Sequence, residues 1–245
     1  GLDIMIVREL TGGIYFGEKH ISVDGTVASD LCEYSEKEIS RIAHMAFKAA
    51  KKRKKKLTLV DKANVLESSR LWRKTVTEIG KSYPEVKFEC MFIDNAAVQM
   101  MLKPSQFDVI LTDNMFGDIL SDQGSVIIGS VGLLPSASIG ANNAMFEPFH
   151  GSYPQAKGKN IANPVASIFS TAMLLQHFGL DEEANAIVFA VHESFAKKVV
   201  TADILGSNKY GTDYVGDFIS EHIVDSDENL NINDENIGLG KSTII

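Results

Sequence analysis

The chain has 245 residues, of which 44% are hydrophobic and 23% charged, close to the average for a folded soluble domain. Its 24 basic and 32 acidic residues leave a formal charge of −8, which argues against binding nucleic acid through its phosphates. Cys32 and Cys90 form no C-x-x-C pair, which fits a reducing compartment without a zinc or redox motif, and no run approaches the roughly 18 apolar residues of a membrane helix.

Gly1 stands directly before a strand-like run, Leu2-Asp3-Ile4-Met5-Ile6-Val7, so the sequence reads as an N-terminally truncated fragment. Residues 2–27 are expected to form two strands joined through Gly12-Gly13. Ile14-Tyr15-Phe16 supplies the second, and Gly17 ends it. Ser35 and Glu38 spell a capping box. Ile39, Ile42, Ala43, Ala46 and Ala50 continue it at helical spacing. The basic run 51–56 then reads as a solvated helix end beside the negative pole of the dipole.

An alternation follows: strand 57–61, helix 66–82 with Leu71, Trp72, Val76 and Ile79 on one side, strand 86–93, helix 96–102, strand 107–112 and helix 115–129. Strands alternating with helices predict an α/β fold. Beyond a Gly- and Ser-rich segment, 129–140, a strand is expected at 144–149. Pro164 is placed for the first turn of a helix to 178, and a second long helix covers 180–199. The expected division is one α/β domain over 1–128, part of a second over 129–223, and an acidic, Asn-rich, flexible tail over 224–245.

Asp118 and Asp122 lie four apart on a predicted helix, hence on one face, one turn apart. Carboxylates that close repel unless a cation lies between them, and oxygen-only ligation suits Mg2+ or Mn2+. The same spacing also fits an exposed acidic helix face. The apolar Phe116, Ile119 and Leu120, and the buried strand before them, favour a ligand site, because open α/β sheets bind ligands at the carboxyl ends of their strands. Asp94 is either a third carboxylate or the cap of helix 96–102. Phe149-His150-Gly151-Ser152-Tyr153-Pro154, with Gly158, Asn160 and Asn163, leads into a helix N-terminus. It reads as an anion or nucleotide loop, or as an ordinary surface loop. Gly240-Lys241-Ser242-Thr243 mimics the close of a phosphate loop, but Glu235 stands where that motif needs glycine. No G-x-G-x-x-G fingerprint supports a Rossmann site. Arg8 suits a carboxylate in a fork, and Lys62, after its strand, suits a base. Tyr15 follows two glycines, and each of these three is equally at home as a structural or exposed residue.

Five ordered motifs together resemble the 3-isopropylmalate dehydrogenases of the isocitrate/isopropylmalate β-decarboxylating family. They are Arg8-Glu9-Leu10-Thr11-Gly12-Gly13-Ile14-Tyr15-Phe16-Gly17, Asp61-Lys62-Ala63-Asn64-Val65, Asn114-Met115-Phe116-Gly117-Asp118-Ile119-Leu120-Ser121-Asp122, Gly132-Leu133-Leu134-Pro135-Ser136-Ala137, and Phe146-Glu147-Pro148 with His150-Gly151-Ser152. The resemblance runs from Leu2 to about Ile219. It implies NAD- and divalent-metal-dependent oxidative decarboxylation of a small 2-hydroxy acid in leucine biosynthesis, in a cytoplasmic homodimer without nucleic-acid or membrane partners.

Residue by residue, the resemblance makes Arg8 and Asp94 substrate-binding residues and Asp94, Asp118 and Asp122 the metal ligands. Lys62 becomes the base for the hydroxyl proton, and Tyr15 an acid of lowered pKa. Lys62 and Asp94 reach the partner's site. The cofactor residues are Asn64, His150, Gly151, Ser152, Gln155 and Asn163. The sequence departs from the family at Gln155, where an Asp usually holds the adenosine ribose, leaving NADP open beside NAD. The family's N-terminal portion, with two further substrate arginines, is absent, so no turnover is expected of the 245 residues alone. An isocitrate- or tartrate-type relative and a non-catalytic association module are the alternatives.

Overall fold

The computed structural model describes residues 2–205, 210–225 and 243–244. Two compact units divide it, Asp3–Gly124, and the chain from Ser125 onward together with Leu2.

The first unit contains β1 (Met5–Arg8), a 3-10 turn (Gly13–Tyr15), β2 (Lys19–Ile21), β3 (Ala28–Asp30), α1 (Glu36–Lys52), β4 (Lys56–Asp61), α2 (Glu67–Gly80), β5 (Lys87–Phe92), α3 (Ile93–Leu102), a 3-10 turn (Pro104–Gln106), β6 (Val109–Thr112) and the start of α4 (Asn114–Ile128). Its strands run parallel in the order β5-β4-β6-β1. Helices cover a parallel sheet on its faces, so its inner strands carry unbroken apolar runs. Leu57, Leu59 and Val60 of β4 and Val109, Ile110 and Leu111 of β6 are accordingly all buried. β2 and β3 form a separate, exposed antiparallel ribbon.

The capping box forms as expected. Ser35 Oγ accepts from the Glu38 N–H, and the Glu38 carboxylate accepts from the Ser35 N–H at 2.7 Å. All five spaced apolar positions of α1 are buried, and so is Phe47 beside them. Phe47 stacks on Tyr83 at 4.9 Å, and Trp72 of α2 meets Tyr34 edge-on at 5.4 Å.

The register brings several candidate residues to one end of this sheet. Arg8 stands level with Thr112, Thr112 with Val60, and Asp61 with Phe92. Arg8, Lys62, Asp94 and Asn114 therefore all sit at or just past the carboxyl ends of parallel strands.

Several expectations are corrected. Ile14–Phe16 is no strand. The buried Glu9 carboxylate accepts the N–H groups of Thr11 and Gly12, Gly13 turns through φ +75°, and the Lys19 ammonium binds the carbonyls of Ile14, Tyr15 and Gly17. These polar contacts close a 3-10 turn that β propensity does not resist. Asp94 caps nothing, because α3 begins at Ile93 and encloses it. The basic run is only partly solvated: Arg53 pairs with Asp3 at 2.7 Å and with buried Asp108 at 2.9 Å, and Lys56 with Glu89 at 2.8 Å.

The second unit has β7 (Pro135–Ile139), β8 (Ala144–Pro148), α5 (Val165–His177), α6 (Asp181–Ala196), α7 (Ala202–Leu205), α8 (Thr212–Asp225) and β9 (Thr243–Ile244). β7 pairs antiparallel with β8 and parallel with β9. A strand thus arises inside the Gly- and Ser-rich segment, and Pro164 caps α5 rather than entering its first turn. Val165, Ala190, Val191, Val199, Val215 and Ile219 form the core. Most of the predicted acidic tail, 226–242 and 245, lies outside the described residues, as does most of the phosphate-loop mimic. Among the described residues no helix is long and apolar enough to cross a membrane.

Equilibrium urea unfolding will rank two contributions. Phe47→Ala is expected to lose about 3–5 kcal/mol through cavity formation, and Ser35→Ala about 1 kcal/mol through loss of the cap. Equal losses would contradict the packing described here.

Candidate active site

Arg8 ends β1 and lies across the first turn of α4. Its Nε and Nη2 both donate to Asn114 Oδ1, at 3.0 and 2.8 Å, and its Nη1 donates to Asp118 Oδ1 at 2.5 Å. Asn114 and Asp118 are four residues apart, so they flank one patch of helix surface. Gly117 lies in that patch. A Cβ there would stand 2.6 Å from Arg8 Cγ, so only glycine leaves room for the arginine stem. Asn114 is itself locked, its backbone N–H donating to Tyr34 Oη at 3.0 Å and its Nδ2 to the Gly12 carbonyl at 3.3 Å.

Tyr15, half exposed, donates its hydroxyl to Asp118 Oδ2 at 2.7 Å, and its ring lies 5.7 Å from Arg8 Cζ. The hydrogen bond to Asp118, with a smaller share from burial, raises the Tyr15 hydroxyl above its ordinary value. This corrects the lowered pKa implied by the resemblance: beside an anionic acceptor, Tyr15 keeps its proton. The loop is tied down by Glu9, whose carboxylate also accepts from Arg41 at 2.6 Å.

A second cluster lies past β4. The Lys62 ammonium donates to Asp94 Oδ1 at 2.7 Å, and this hydrogen bond holds the Asp94 carboxyl below its ordinary value. The preceding Asp61 is buried and accepts both arms of an Arg73 fork, at 2.8 and 2.7 Å, which ties α2 to the end of β4.

The predicted residues of this unit thus form two groups, Arg8–Tyr15–Asp118 and Lys62–Asp94, with Asp122 exposed one turn beyond Asp118 on α4. Among the described residues no three His, Cys, Asp or Glu side chains converge to hold a metal, so Asp94 does not join Asp118 and Asp122 within one chain. The donor chemistry of the aspartates still suits a hard divalent cation. Each Asp118 oxygen accepts one hydrogen bond, from Arg8 and from Tyr15, and keeps a lone pair that a cation could use.

The cofactor candidates divide between the units. Asn64 lies exposed in the turn after β4. In the second unit, His150 Nδ1 is 3.0 Å from the Gly151 carbonyl, and Gly151, Ser152 and Gln155 are exposed, Gln155 within a 3-10 turn (Pro154–Ala156). Asn163 Oδ1 accepts from the Val165 N–H at the start of α5, and its Nδ2 donates to Asp203 at 2.9 Å. Asp203 also accepts from Ser130 and Thr201.

Sequence reasoning named no role for Asn114, Gly117, Glu9 or Asp203. The only signal for Asn114 and Gly117 was their place in the motif that contains Asp118.

The sequence profile described as isocitrate/isopropylmalate dehydrogenase matches residues 1–219. The chain is 51% identical over 225 residues to the 3-isopropylmalate dehydrogenase of Clostridium acetobutylicum, covering 89% of this chain and 63% of that protein. It is 54% identical over 219 residues to the 3-isopropylmalate dehydrogenase of Pseudoalteromonas translucida, covering 88% and 61%. The chain therefore spans about 63% of the length of the curated relatives it matches. Among solved structures, it is similar to an isocitrate dehydrogenase from Methylococcus capsulatus at TM-score 0.86 and 40% identity, covering 89% of this chain and 66% of that one. These likenesses extend to the α/β fold.

Asp113, buried between β6 and α4, yields a pH prediction. Burial pushes its carboxyl from the ordinary 3.8 up to about 6, against the stabilising Met115 and Phe116 N–H groups. The folded form thus holds this proton more tightly than the unfolded chain. The stability it contributes is complete below about pH 4 and is lost as pH rises through about 6. Unfolding free energies across that window should show Asp113→Asn losing a pH-dependent component of about 1–3 kcal/mol. Parallel profiles for the two proteins would refute it.

Proposed function

We propose that this chain, which belongs to the isocitrate/isopropylmalate dehydrogenase family, serves the NAD-dependent oxidative decarboxylation of 3-isopropylmalate to 2-oxoisocaproate. On this reading it works with Mg2+ or Mn2+ in leucine biosynthesis, as a cytoplasmic homodimer. Residues 1–128 would supply the substrate, metal and dimerisation domain, and 129–223 part of the cofactor domain. The observation that carries the reading is the cluster of Arg8, Tyr15 and Asp118 at the carboxyl end of a parallel sheet, in a chain 51–54% identical to proteins named for this activity.

The chemistry follows from the residue types. Arg8 presents a planar fork to a substrate carboxylate. Asp118 and Asp122 of one protomer, with Asp94 of the other, would hold the cation, which when bound polarises the substrate hydroxyl and balances charge as CO2 leaves. Lys62, reaching in from the partner, accepts the hydroxyl proton. A nicotinamide bound beside this site would serve as the acceptor of the hydride from the substrate carbon. The C–C electron pair released with CO2 ends on the adjacent carbon, where a proton from Tyr15 is added. The loop from His150 to Asn163, ending at the α5 N-terminus, would receive the adenosine side of the cofactor.

The 40% identity to an isocitrate dehydrogenase keeps isocitrate as the second substrate to compare. Turnover should be measured on the longest protein that contains this chain, with each 2-hydroxy acid. 3-Isopropylmalate is expected to give the higher kcat/KM, and higher turnover of isocitrate or tartrate would reject the substrate assignment. Asp118→Ala with Asp122→Ala should cut turnover by about 100-fold or more, since a bound metal contributes several kcal/mol to such a step. Unchanged Mg2+- or Mn2+-dependent turnover would defeat the metal assignment and favour a non-catalytic role for this helix.

A further inference from the structure

Arg8 is held by two acceptors of different kinds. Asp118 is partly exposed, and its charge can be drawn to a cation while a substrate carboxylate competes with it for Arg8. Asn114 is neutral, 2% exposed, and fixed from behind by Tyr34 and Gly12. With its Nδ2 committed to the Gly12 carbonyl, its Oδ1 can only face the arginine. It takes the Nε–H and one Nη2–H, which is one whole edge of the guanidinium. Of the five N–H groups of an arginine, three are engaged by Asn114 and Asp118. Among the described residues, one N–H on each terminal nitrogen is left over, and these can donate to an incoming carboxylate.

We infer that Asn114 is the positioning residue of Arg8. It grips the Nε edge of the guanidinium and so fixes its plane, which keeps the terminal N–H groups aimed at a substrate carboxylate whether or not Asp118 keeps its own contact. The inference rests on the reading of Arg8 as a carboxylate-binding residue. Gly117 completes the seat, because the space a Cβ would fill is occupied by the Arg8 stem. The neutrality of Asn114 matters here. A second carboxylate in its place would compete with the substrate for the same cation, whereas an amide oxygen orients the fork without neutralising its charge.

The test has an arm that needs no turnover. In the 245-residue chain, solvent exchange of the Arg8 Nε–H is followed by nitrogen-15 NMR, the signal being identified by its disappearance in Arg8→Lys. Asn114→Ala is expected to speed that exchange by an order of magnitude or more, and Asn114→Asp, which keeps an acceptor for the Nε–H but loses the donor to the Gly12 carbonyl, to speed it less. In the longest protein that contains this chain, Asn114→Ala should raise the KM for the 2-hydroxy acid about 10- to 100-fold, the scale of loss for a misplaced binding group. The kcat and the KM for the nicotinamide cofactor should change little. Unchanged Nε–H exchange in Asn114→Ala overturns the inference. So does a uniform loss in kcat, both KM values and Tm, which would mark Asn114 as merely structural. If Asn114→Ala frees the Nε–H but Arg8→Lys leaves the KM for the acid unaltered, it is the carboxylate-binding reading that fails. The role of Asn114 in substrate affinity then falls with it.

Discussion

The seating of Arg8 on the first turn of α4 is the contact on which the rest of this site depends. A guanidinium is the one side chain that can present a rigid planar fork, but only if something holds the plane. Here the holding is done by helix periodicity. Asn114, Gly117 and Asp118 fall on one face, and they provide an amide acceptor, a gap and a carboxylate within a single turn. β1 delivers Arg8 to that face because its register against β6 sets Arg8 level with Thr112, two residues before α4 begins. The sheet thereby fixes an arginine against a helix over a sequence distance of more than 100 residues.

A second layer of polar groups supports that seat. Glu9, almost fully buried, accepts from Thr11, Gly12 and Arg41 and so shapes the loop that carries Tyr15. Tyr34 accepts from Asn114 while its ring meets the edge of Trp72, which links the site to the core between α1 and α2. A buried carboxylate that accepts several hydrogen bonds is well satisfied, and removing any partner leaves a costly orphan. Tyr15 and Asp118, at the exposed rim, are the members left able to change partners.

What could be read in the sequence follows the range of the forces involved. The α1 cap and its buried stripe were legible because both are local: Ser35 and Glu38 are one turn apart, and the apolar positions repeat at the helical period. Strands β4 and β6 were legible because burial on both faces leaves an unbroken apolar run. The turn at Gly13–Tyr15 was misread because Glu9 and Lys19 override the β preference of Ile14 and Tyr15 through hydrogen bonds that no propensity encodes. β7 was missed because Ser136, Ala137 and Ser138 carry no strong pattern and gain their order from pairing with β8. Arg53 looked like part of a solvated tail, yet its partners Asp3 and Asp108 are about 50 residues away on either side. Motifs picked out Arg8, Tyr15, Lys62, Asp94, Asp118 and Asp122 as candidates. The division of these residues into two clusters was not legible in them, since it depends on which strand ends lie side by side.

The account stands on Asp118 and Asp122 as the cation-holding pair next to a fixed Arg8. Its most direct test is the anomalous-scattering density of Mn2+ in crystals of the longest protein that contains this chain, grown with 3-isopropylmalate. The predicted result is one Mn2+ peak between the Asp118 and Asp122 carboxylates, completed by Asp94 of the partner, with the terminal N–H groups of Arg8 on a substrate carboxylate and its Nε still on Asn114. A Mn2+ peak elsewhere, or none at α4, would contradict it.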